Sequence, residues 1–209
     1  MTLATEPNAA QLDATAAWSR RVRRVGGFIQ AAFAAFWLVR GGLAIGGAVG
    51  GGLAAVFAVV VVVVVVYAIR VTAGVAARPT SPEARRIERA VTVATIVQLV
   101  ASFAVPALVI ATGHSDWVLP SIAITIGPLL LWLDHRVHIP RYRPVGWTLI
   151  VGPVILAIVM SGTALAATTG IAAGVLLLGT ATAGFHDLAL LNRAQTRGRS
   201  TKLAVLTDD

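Results

Sequence analysis

Residues Ile45–Gly52 read "IGGAVGGG", and they lie inside the longest apolar run of the chain, Val25–Ile69. That run is 45 residues long and holds one charge, Arg40. As one helix it would extend roughly 67 Å, at about 1.5 Å per residue, against a bilayer hydrocarbon core of about 30 Å. It has to fold back. Five of the eight residues in Ile45–Gly52 are glycine, so the turn is expected there. A first span at about 25–45 and a second at about 51–69 follow.

The rest of the chain repeats this pattern. Third, fourth, fifth and sixth apolar segments are expected at about 90–112, 117–133, 145–167 and 170–192. Pro106 falls within the third, and Pro120 in the first turn of the fourth, where proline is tolerated. A short turn, "GHSDW" at 113–117, joins the third and fourth, and a tight turn near Thr168–Gly170 is expected between the fifth and sixth. The fold class predicted is all-α, a polytopic six-helix transmembrane bundle. Residues 1–19 are expected to form a disordered N-terminal tail, 20–192 the transmembrane domain and 193–209 a flexible C-terminal tail.

Composition agrees. The chain is 57% hydrophobic and 12% charged, with mean hydropathy +0.82. A soluble domain carries about 25% charged residues. A net charge of +8 and a pI near 11.5 raise the question of nucleic acid. The arginines sit in clusters between apolar blocks, as membrane flanks do, so no nucleic-acid partner is expected and the bilayer is. Cysteine is absent, which excludes disulfides and thiolate chemistry. Arginine outnumbers lysine sixteen to one, a bias associated with GC-rich bacterial coding sequence. Residues 1–19 are polar and lack the early apolar stretch of a cleavable signal peptide.

Charge also predicts topology. The segments 20–24, 70–89, 134–143 and 193–202 hold sixteen of the seventeen Lys and Arg, and the alternating connections near 45–52, 113–117 and 168–170 hold none. With six spans, every basic segment falls on one side, which the positive-inside rule makes the cytoplasm. Both termini are then cytoplasmic, in a bacterial inner membrane. Trp117, Trp132, Trp147 and Tyr142 lie at expected span ends, as interfacial aromatics do.

Small residues suggest packing sites. Gly42, Gly46 and Gly50 are spaced by four, as are Gly47 and Gly51. Such spacing lets helix backbones approach, either between protomers of a homo-oligomer or within one hairpin. Gly127-Pro128 and Gly152-Pro153 fall at similar depth and are candidate helix bends lining a cavity. The plainer reading is that Gly and Pro are common in transmembrane helices.

Chemistry-bearing residues are few. "GFHDLALL" places His186 and Asp187 near the basic end of the last segment, and "DHRVH" places Asp134, His135 and His138 at the same end of the fourth. If the fourth helix continues to Ile139, Asp134 and His138 share a face. Asp187 needs a cationic partner, with Arg136, Arg141, Arg143 or an arginine of 20–24 available. The five residues offer a proton or solute pathway or ligands for a metal such as zinc. They equally suit ordinary interfacial ion pairing, since the spacing is not a diagnostic metal motif. At the other end, Arg40, His114 and Asp116 suggest a small polar group with an Arg40–Asp116 ion pair. Gln30 and Gln98 lie within spans and are able to bond across helices.

No spacing identifies a reaction, a nucleotide loop or a cofactor site, and no cofactor or enzymatic activity is expected. Three functions stay open. A small transporter or channel requires a polar-lined cavity, and a structural or regulatory membrane subunit requires partner surfaces. A membrane-embedded metal enzyme requires convergent histidines and carboxylates.

Overall fold

The computed structural model describes residues 9–73, 82–137 and 141–207. Six helices follow one another: α1 (Ala9–Ile45), α2 (Gly47–Val71), α3 (Pro82–Ala111), α4 (Val118–Val137), α5 (Tyr142–Val159) and α6 (Gly162–Thr207). A short 3-10 turn, Ser115–Trp117, precedes α4. Among the described residues there is no strand. Each helix holds a stretch long and apolar enough to cross a membrane.

The turns are set by glycines in left-handed backbone. Gly46 (φ 80°) and Gly47 (φ 58°) reverse the chain between α1 and α2, a conformation that costs other residues steric strain. Gly46 alone breaks the helix, so α2 starts at Gly47 rather than near residue 51.

The α5–α6 turn differs from the sequence expectation. It lies at Met160–Gly162, where Met160 is extended and Gly162 has φ 58°. Thr168–Gly170, the expected turn, is continuous helix within α6. Fifth and sixth segments are therefore 142–159 and 162 onward, not 145–167 and 170–192.

The ends of the bundle are also more helical than expected. α1 begins at Ala9, within the tail expected to be disordered through residue 19, and α6 runs past Asn192 to Thr207. Neither extension contains proline, and alanine is the commonest residue in them, so nothing local stops the helix. α4 ends at Val137, and His138 lies outside the described residues.

The core is built around α1 and α6, which make the most extensive contact in the molecule. α2 packs on α1, α5 on α4, and α3 on α4, while α4 and α5 both reach α6. Trp37 and Leu38 of α1 meet Leu177 of α6, together with Ile126 and Leu130 of α4 and Leu149 of α5. Toward the basic end, Phe28 tilts against Phe185 with ring centroids 5.2 Å apart, among Ala31, Ala68, Ala181 and Leu188.

Glycine sets how closely these helices approach. Gly41 of α1 and Gly170 of α6 touch backbone to backbone, and Leu38 fills the space over Gly174. Gly127 of α4 and Gly146 of α5 form a second such contact. Half of the α6 span is buried, against 11% for α3, so α3 is the least embedded helix. Its outer face, with Val97, Val100 and Phe103, is exposed, as are Val59, Val62 and Val63 of α2.

Candidate functional site

At the basic end, Arg141 precedes α5 and Asp187 projects from α6. The Arg141 Nη2 donates to Asp187 Oδ2 in an ion pair. Both side chains are about one-third exposed, at 34% and 37%. The pair fastens the start of α5 to α6. Phe185 is fully buried, and helix geometry rotates each successive residue by about 100°. His186 accordingly lies on the exposed surface of the bundle, away from the core.

The other expected members of that cluster are dispersed. Asp134 is half-buried and His135 exposed near the end of α4. Among the described residues, no three His, Cys, Asp or Glu side chains converge closely enough to hold a metal ion. His135, Asp134, His186 and Asp187 thus do not assemble into a metal centre.

The opposite end also differs from expectation. Arg40 is exposed, and Asp116 does not pair with it. Asp116 Oδ2 instead accepts the Gly162 backbone N–H at 3.3 Å. The first amides of a helix lack partners within it, and an anion suits the positive end of the helix dipole. Asp116 therefore caps α6 and ties the α3–α4 turn to the α5–α6 turn. His114 is exposed beside it.

The singled-out glycines divide by position. Gly42 faces Ala54 across the α1–α2 hairpin, and Gly50 faces the Gly42 carbonyl. Gly46 and Gly47 make the turn, and Gly51 faces open space. α4 runs continuously through Gly127-Pro128 and α5 through Gly152-Pro153. Gly127 carries the α4–α5 contact, while Gly152 meets only Thr148 of its own helix.

A cavity of about 460 Å³ opens between α1, α3 and α4. Its volume lies within the roughly 300–1,000 Å³ range of small-molecule sites. α1 and α3 make little contact with each other, which leaves the gap. Arg21 of α1 and Glu88 of α3 line one end, and the walls are mainly Ile29, Phe33, Leu99, Ile126 and Leu130.

Two amides interrupt this apolar wall. Gln30 is nine residues beyond Arg21 and Gln98 ten beyond Glu88, which places both about 13–15 Å deeper. Both are more than nine-tenths buried, at 7% and 6% exposure. Gln98 Nε2 donates to Ser102 Oγ at 3.0 Å and crosses to Thr125 Oγ1 on α4 at 3.3 Å. Gln30 Nε2 has no hydrogen-bond partner in the protein. Thr92 and Thr95, also in the wall, donate to the Glu88 and Val91 carbonyls of their own helix.

Tyr142 opens α5, at a helix end as the sequence suggests, where an interfacial aromatic would face outward. It is buried instead, lines the same cavity and brings its hydroxyl close to Gly26. Position at a helix end does not tell an outward aromatic from an inward one. The cavity itself had one signal in the sequence, the two glutamines placed in apolar helices. The site has the character of a binding pocket, apolar with a few polar groups. Neither of the two described histidines nearest the basic end, His135 and His186, lines it. No family model, curated protein or solved structure matches this chain.

Proposed function

We propose that the chain is a six-span protein of a bacterial cytoplasmic membrane, with both termini in the cytoplasm. In this reading it acts as a small permease-like carrier for an apolar or amphipathic solute drawn from the bilayer. The exposed valines of α2 and the exposed Val97, Val100 and Phe103 of α3 support lipid as the surroundings. Contiguous apolar surface of this extent is rare on soluble monomers. The distribution of arginines supports the orientation.

The observation that carries the carrier reading is the 460 Å³ cavity between α1, α3 and α4. Arg21 and Glu88 line it at the level of the basic segments, and the rest of its wall is mainly apolar. A solute partitioned in the membrane would enter it with little desolvation of charge.

The test is transbilayer movement of a fluorescent NBD-dodecyl amide in proteoliposomes, read by dithionite quenching of the outer-leaflet probe. Vesicles holding the protein are expected to move the probe faster than protein-free vesicles. Phe33→Trp, which fills part of the cavity, should remove that gain. Equal rates with and without protein overturn the carrier reading.

A further inference from the structure

We propose that Gln30 makes the cavity selective for a carbonyl oxygen. The ligand class is then a neutral, largely apolar molecule bearing a carbonyl, an alkyl quinone or a fatty ester. This rests on the cavity between α1, α3 and α4 being the binding site.

The argument is one of hydrogen-bond accounting. At the depth of the two glutamines, the described wall has few donors. Gln98 spends its amide nitrogen on Ser102 and Thr125. Thr92 and Thr95 spend their hydroxyl protons on backbone carbonyls of α3. Gln30 is the wall residue whose buried amide nitrogen has no acceptor. Buried polar groups are nearly always satisfied, so an orphan donor beside a cavity marks where an acceptor belongs.

The terminal torsion of glutamine is broad and roughly two-fold. The Gln30 nitrogen is sealed from the cavity as it stands, and a half-turn that exchanges nitrogen and oxygen brings the NH2 group to the cavity side without moving α1. A carbonyl oxygen accepts from that NH2 group without bringing a donor of its own into the apolar wall, as a hydroxyl or amine would.

Depth and charge narrow the class. Gln30 lies about 9 Å inward from Arg24, where the α1 span begins. A charged head at that depth is disfavoured. Arg21 and Glu88, the charges that line the cavity, have opposite signs and favour neither an anion nor a cation. A neutral carbonyl carried on an apolar body satisfies both conditions.

The test uses the full chain in proteoliposomes, labelled by a diazirine-bearing alkyl probe. Three competitors of matched chain length are added: an alkyl benzoquinone, a fatty-acid methyl ester and an n-alkane. In the wild type, at least one carbonyl competitor should displace the probe roughly three- to tenfold more effectively than the alkane. Quinone alone points to ring carbonyls, ester alone to lipid esters, and both to any carbonyl. Gln30→Leu should bring the carbonyl competitors down to the alkane while alkane competition persists. Gln30→Met, closer in shape, is the second variant if the first does not fold. Saturable labelling with no carbonyl advantage in the wild type overturns the selectivity and leaves the cavity as a binding site. Absence of saturable labelling overturns both.

Discussion

Gly41 meets Gly170 backbone to backbone, and this joint yields a sharp test. A methyl group added at Gly170 would lie 2.7 Å from Gly41 Cα and 3.1 Å from both Gly41 N and the Trp37 carbonyl oxygen. Non-bonded carbons rest about 3.5–4.0 Å apart, so α1 and α6 must separate by roughly 1 Å. The three nearest atoms are all backbone, so no side-chain rotation relieves their clash. A gap of that size forfeits a quarter to a half of each dispersion contact along the seam. Overpacking costs about 1–3 kcal/mol, and a backbone clash belongs at the upper end. Alanine regains about 1 kcal/mol in helix propensity. Gly170→Ala should therefore destabilise by about 2 kcal/mol. Gly179 lies on the same helix and has nothing within 4 Å of a Cβ, so Gly179→Ala should be neutral or stabilising by up to about 1 kcal/mol. The two substitutions share the same chemistry, so their difference, about 3 kcal/mol, isolates the contact. Reversible unfolding in mixed micelles, followed by tryptophan fluorescence and circular dichroism, reads it. Equal stabilities for the two variants would refute the backbone contact as the organising joint.

Two further predictions concern charge. Asp187 is engaged by Arg141 at a partly exposed position, so a double-mutant cycle with Asp187→Asn and Arg141→Gln should give a coupling of about 0.2–1 kcal/mol. Proton flux under an imposed pH gradient should be the same in vesicles carrying wild type and Asp187→Asn; a flux lost in the variant would place Asp187 on a conduction path instead. The absence of cysteine allows orientation to be read by single substitutions. Ser115→Cys should react with an impermeant maleimide on intact cells, and Thr201→Cys only after permeabilisation; the reverse pattern would invert the topology.

Much of this architecture is legible in hydropathy and charge, because segment length and arginine placement are properties of one helix at a time. What the sequence hides are properties of pairs. "SGT" at 161–163 and "TTG" at 168–170 are both small and polar, and either suits a turn. The difference is that Gly170 is needed inside a helix, where Gly41 of another helix meets it, while Gly162 adopts a positive φ. The even spacing of spans also misleads. α5 is 18 residues long, and the apolar part of α6 is 30. Asp116 presents the same difficulty. Its partner is the Gly162 amide, a donor that exists only once the true start of α6 is known. Tyr142 and Arg141 are adjacent at a helix end, yet one turns into the cavity and the other toward Asp187.

The polar groups of this chain also differ in what they ask of their surroundings, and that difference separates the two candidate sites. Asp187 is a charge near the end of its span, and Arg141 Nη2 neutralises it; Arg141 Nη1 is buried without a partner but does not line the cavity. Gln30 is a buried amide with an unmet donor, which costs about 1–3 kcal/mol where an apolar side chain would cost nothing. Trp37 Nε1 and Thr169 Oγ1 are likewise buried without partners. Both sit beside the Gly41–Gly170 joint, and neither lines the cavity. Trp37 supplies bulk to the core cluster, and Thr169 neighbours the glycine that must pack there. Gln30 has no comparable packing role that leucine could not fill, and it alone of the three opens on a space large enough for a solute. The orphan amide and the cavity therefore explain each other better than either is explained by helix packing.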